Sequence, residues 1–180
     1  MIYENKTWYE LYFRYRNLFT DAFLMLFSVV LMAVFANIRI PLWPVPVTLQ
    51  TFGVFLAVFF FGSARSSLTM VLYILFGLLG FGVFAGYKSG IAALLGPTGG
   101  YLIGMVLMAF VVGLLIERGF GRTWKSVVCC MVIGEIVLFA SGLTGLYLFL
   151  GNASILKVLS LGLFPFILGE SLKILVSAYM

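Results

Sequence analysis

The chain has 180 residues, 63% of them hydrophobic and only 9% charged, with a mean hydropathy of +1.18. Soluble domains carry about 25% charged residues, so too little polar surface is available for a water-soluble globule, and the chain reads as an integral membrane protein. The formal charge of +5 fits basic loops that set orientation and no basic cluster with stacking aromatics supports nucleic acid, while two adjacent cysteines and no histidine leave no disulfide framework, metal-ligand spacing or His-based relay.

Residues 1–18 are a mixed segment in which Glu4, Lys6, Glu10, Arg14 and Arg16 alternate with Trp8, Tyr9, Tyr12, Phe13 and Tyr15. Such a stretch either lies along the membrane interface as an amphipathic helix or extends as a solvated cytoplasmic tail. The apolar run beginning near Thr20 lacks a following small-residue cleavage site and is long enough to span, so it reads as a membrane span and not a signal peptide.

From there, polar and Gly/Pro punctuation divides the chain into six runs close to the ~20 residues a span needs. They lie near 19–38, 47–63, 67–85, 98–116, 125–149 and 158–179. The expectation is an all-α integral membrane protein forming one six-span domain over residues 1–180. Lys6, Arg14, Arg16, Arg65, Arg118, Arg122 and Lys125 fall on one side; Arg39, Lys88 and Lys157 fall on the other. That asymmetry places both termini in the cytoplasm.

Two loops then share the outer face. Residues 39–46 carry three prolines, which fix φ and stiffen the backbone. Residues 86–97 are glycine-rich and partly apolar. Non-helical backbone at membrane depth is tolerated where protein covers it or it lines a cavity. The pair reads as a lid over a binding pocket, the plainer alternative being tight connections between spans.

Beneath that face the last run holds Glu170 and Lys173, three residues apart and so on one helical face. Entering near Ser160, this helix carries Glu170 about 15 Å deep. Charges in hydrocarbon are costly and mark partners, wet cavities or polar ligands, although a pair that only staples helices is the alternative. Glu135, at similar depth in the fifth run, can pair with Lys173, meet a polar ligand group or sit protonated. No Gly-Lys dipeptide exists to supply a Walker lysine, and no Gly-x-Ser-x-Gly elbow is present, so neither ATP hydrolysis nor nucleophilic catalysis has its residues.

Pro44-Val-Pro-Val-Thr-Leu-Gln50 and Gly90-Ile-Ala-Ala-Leu-Leu-Gly-Pro-Thr-Gly-Gly-Tyr-Leu102 resemble the signature loops of the biotin-specific substrate-binding subunits (S components) of energy-coupling factor transporters, the BioY family. Pro165-Phe-Ile-Leu-Gly-Glu-Ser-Leu-Lys173 is similar to that family's Pro-Phe-x-x-Gly-Asp-x-x-Lys. The resemblance runs from the first span to the last. It implies a non-enzymatic subunit, without cofactor, that captures biotin from outside and is driven by a transmembrane coupling protein and two cytoplasmic ATPase subunits. An S component or solitary carrier for another small vitamin-like molecule is the alternative.

The resemblance implies that Glu170 and Lys173 contribute to the biotin site. Glu170 would accept the ureido N–H groups in charge-assisted bonds. Trp43, Tyr87 and Tyr101 would enclose the ring, and Arg39 or Lys88 would meet the carboxylate tail. Gln50, closing the first motif, is counted with them. The chain departs from the family pattern twice. Glu170 replaces the usual Asp, and the first span offers Ala22, Ser28, Ala33 and Ala36 in place of a clean Ala-x-x-x-Ala docking repeat.

Overall fold

The computed structural model describes residues 17–120, 122–151 and 153–178, so nearly all of the expected interfacial N-terminal segment lies outside the described residues. The first helix, α1 (Leu18–Asn37), starts where the Asn17 side chain accepts the Thr20 amide at 2.7 Å. Asp21, Met25, Val29, Met32 and Ala36 form its single buried stripe. Its other faces expose Phe23, Phe27, Val30 and Val34, as expected of a helix solvated by lipid.

A two-stranded hairpin follows, β1 (Arg39–Ile40) antiparallel to β2 (Val47–Thr48), with the proline-rich segment as its tip. The helix α2 (Gln50–Leu78) is a 29-residue run interrupted at Gly62, whose φ of 71° and ψ of −165° are not helical. Only glycine takes that conformation cheaply. The restarted helix is capped by Glu117, which accepts the Ser63 amide at 2.7 Å and its hydroxyl at 2.8 Å. The sequence places a connection around Arg65 here. Instead the chain turns at Gly62, and Arg65 sits inside the helix paired to Asp21 at 2.8 Å.

After a short turn of helix, α3 (Ile91–Leu94), the central helix α4 (Gly99–Leu115) packs between α2 and α5 (Trp124–Leu150). A π-helical turn, Ile116–Phe120, joins them. The close approach needs small residues: a Cβ on Gly113 would stand 2.3 Å from the Ser63 Cα. The last expected span is two pieces, α6 (Ile155–Gly162) and α7 (Phe164–Ala178), bent by 41°. Pro165 occupies the first turn of α7, where its missing N–H costs nothing.

Among the described residues, four helices (α1, α2, α4 with its π turn, and α5) are long and apolar enough to cross a membrane, and α6 with α7 make a fifth if the bent pair counts as one. The fold is that of a multi-pass helical membrane protein.

Candidate functional site

The site assembles where α7 passes the hairpin and the first turn of α2. On α7 the buried residues are Phe166, Glu170 and Ser177, a single inward face. Glu170 is 5% exposed. Its Oε2 accepts the Thr51 hydroxyl at 2.7 Å, and its Oε1 accepts Lys173 Nζ at 2.6 Å. Lys173 also donates to the Thr48 carbonyl at 2.6 Å and to Thr51 Oγ1 at 2.8 Å.

All three ammonium protons are therefore used. The Thr51 hydroxyl has one proton, given to Glu170, and a lone pair that receives Lys173. A buried ion pair is tolerable only with such complete bonding. A carboxylate has about four acceptor positions, and two are filled here. Glu170 thus keeps acceptor capacity on the side that faces a cavity.

That cavity has a volume of about 150 Å³. Thr48, Gln50, Thr51 and Glu170 supply polar wall, and Thr98 adds a further hydroxyl. Tyr101, Phe139 and Phe166 supply an aromatic wall, in which Tyr101 and Phe166 stack at 6.1 Å and Phe139 meets both rings edge-on. Arg39, Trp43 and Lys88, all exposed, line its rim, and Trp43 is 76% accessible.

Six of the eight residues expected from sequence line this one space: Arg39, Trp43, Gln50, Lys88, Tyr101 and Glu170. Two do not. Lys173 stands behind Glu170, bonded as described, and Tyr87 is 77% exposed outside the wall. Tyr87 faces away because its backbone has φ 57°, and its amide and that of Gly86 are both held by the Asn37 side-chain oxygen at 3.0 and 2.9 Å. The Tyr101 hydroxyl is spent on the Gly162 carbonyl at 2.7 Å, so it offers a ring face and no free donor. Gln50 donates to Tyr73 at 3.0 Å and accepts from Thr48 at 2.9 Å, leaving one N–H and one lone pair.

Sequence reasoning missed Thr51, Phe139 and Phe166. A threonine next to Gln50 in the signature loop was the available signal for Thr51. Glu135 is 6% exposed, and among the described residues neither of its oxygens receives an N–H or O–H donor. The pairing with Lys173 does not form, because Lys173 has no proton left to give.

The family model for the BioY family matches residues 8–180. The chain belongs to the BioY family. A biotin transporter BioY of Thermotoga maritima is 40% identical over 148 residues, covering 82% of this chain and 85% of that protein. A probable biotin transporter BioY of Pyrococcus horikoshii is 39% identical over 145 residues, covering 81% and 83%. Among solved structures, an S-component for biotin from an ECF-type ABC transporter superposes with a TM-score of 0.78, 24% identity, and coverage of 89% and 87%. This BioY-family chain therefore shares the S-component fold.

Proposed function

We propose that the chain binds biotin from outside the cell and carries it inward as the S component of an ATP-driven energy-coupling factor transporter. The observation that carries this reading is Glu170: a buried carboxylate, oriented by Thr51 and Lys173, with unused acceptor positions facing an aromatic-walled cavity in a BioY-family chain. Biotin presents two N–H donors on a neutral ring, an apolar sulfur ring and an anionic tail. Glu170 takes the N–H donors, the faces of Tyr101, Phe139 and Phe166 take the rings, and Arg39 or Lys88 at the rim takes the tail.

At about 150 Å³ the space is smaller than the ~300–1,000 Å³ common for small-molecule sites. Ligand entry accordingly moves the hairpin and the 86–97 segment apart, and the emission of Trp43 reports it. The chain crosses the membrane six times, the break at Gly62 separating the second and third crossings, with both termini in the cytoplasm. A transmembrane coupling protein and two cytoplasmic ATPase subunits supply the energy. The chain itself is not an enzyme and uses no cofactor.

Titration of purified protein with biotin and with unrelated vitamins tests the reading. Saturable biotin binding with Trp43 reporting is the expected result. Tight binding of another vitamin without biotin binding would replace it with a carrier for that molecule. Uptake by membranes holding the chain with and without the coupling protein and ATPases then tests the partners.

A further inference from the structure

Phe139 on α5 packs against Phe166 on α7 at 6.0 Å, and Leu143 and Leu146 of α5 meet Gly162 just before α7, so α5 and the returning chain run in opposite directions. One turn further along each stand Glu135 and the cavity-lining Glu170, so the packing brings two carboxylates to the same level. Glu135 senses the charges of both Glu170 and Lys173. The three groups sum to one surplus negative charge if all are ionised. Lys173 is saturated by Glu170, Thr51 and Thr48, and the Glu135 carboxyl, which has no N–H or O–H donor among the described residues, has the Glu170 carboxylate as its hydrogen-bond neighbour.

Among the described residues, the other elements packed against α5 place no cation beside Glu135. Facing this stretch, α4 offers Met108 and Val112 at Gly134, and its Tyr101 lies at Gly142, about 10 Å further along the helix. The π turn carries Glu117 and Arg118 at the opposite end, where Phe120 meets Cys130, and Lys157 of α6 is exposed. A lone carboxylate charge in such surroundings is far costlier than its neutral form.

We propose that Glu135, Glu170 and Lys173 form a proton-binding site beneath the cavity, in which Glu135 holds the single proton that balances the cluster. The proton keeps Lys173 on Glu170. An ionised Glu135 would compete for the ammonium, pull it from Glu170 and disorder the acceptor that faces the ligand. Ligand affinity is thereby tied to one proton. This regulation rests on the biotin reading above, but the proton itself does not.

The first measurement therefore uses no ligand. Infrared spectra of the ligand-free protein at neutral pH should contain a carboxylic-acid C=O band that disappears on alkaline titration and is missing in Glu135→Gln. Absence of the band in the wild-type protein, or its persistence in the variant, overturns the proposal. Wild-type spectra suffice if the variant does not fold. The second measurement is biotin affinity against rising pH, where one linked proton lowers affinity about tenfold per pH unit above the titration point. The Glu135→Gln curve should be flat over that window. A fall that survives in the variant assigns the linkage to Lys173, and a flat wild-type curve removes it; either overturns the proposal. Dependence on sodium at fixed pH, tested against potassium, overturns it in favour of a metal cation. No biotin binding at any pH, with the infrared band intact, defeats the biotin reading alone.

Discussion

Two ends of the same bundle tie down carboxylates, and they use them in opposite ways. At the end away from the hairpin, Glu117 accepts both the amide and the hydroxyl of Ser63, and Asp21 is held by Arg65. These bonds close the break at Gly62 and tie α1 to α2. At the hairpin end, Glu170 is held by Thr51 and Lys173 but keeps capacity facing an enclosed space. A carboxylate spent on a backbone cap or on a neighbouring arginine is scaffold. A buried charge fixed by side chains and left partly unspent is prepared for something that arrives.

Substitutions at the two ends should separate those roles. The largest effect belongs to Glu170→Gln, which keeps the shape and removes the charge. Each hydrogen bond to a charged group is worth about 1.5–3 kcal/mol, so biotin affinity should fall by about a hundredfold in equilibrium titration. The stabilisation that biotin gives the wild-type protein, about 2.7 kcal/mol at a hundred times Kd, should fall to about 0.4 kcal/mol at the same biotin concentration. An undiminished affinity would assign Glu170 to helix packing.

Thr51→Val comes next. It leaves Glu170 and Lys173 each one partner short, at about 1–3 kcal/mol, and should weaken binding by about tenfold while the protein still folds, as followed by thermal unfolding in detergent. Arg39→Gln and Lys88→Gln act at the exposed rim, where salt screens charge. Each should change affinity only about threefold at low salt, and the change should be absent with a biotin amide that lacks the anionic tail. Smallest on affinity is Glu117→Gln. It should cost about 1 kcal/mol of stability as a weakened cap and leave the biotin titration unmoved.

The difference between the ends also explains what could be read without coordinates. Glu170 and Lys173 stand out because charges in an apolar run are few, and their spacing alone puts them on one face. Thr51 does not, since its partner Glu170 is 119 residues away and threonine in a membrane span is unremarked. Gly62 is invisible for the converse reason. Arg65 is the obvious polar break, yet pairing with Asp21 lets it stay in the helix while a glycine three residues earlier turns the chain. The orientation of Tyr87 depends on one backbone angle and on Asn37, neither of which leaves a trace in hydropathy. Patterns of apolar length give the helices; long-range side-chain bonds decide which polar groups face the cavity.

The clasp made by Asn37 has a mechanical consequence. Asn37 is the last residue of α1, the helix most surrounded by lipid, and it grips the amides of Gly86 and Tyr87 beside the cavity rim. That segment cannot lift unless both bonds break or the tip of α1 travels with it. Any force that tilts the outermost helix is therefore delivered, through one amide oxygen, to the door of the chamber.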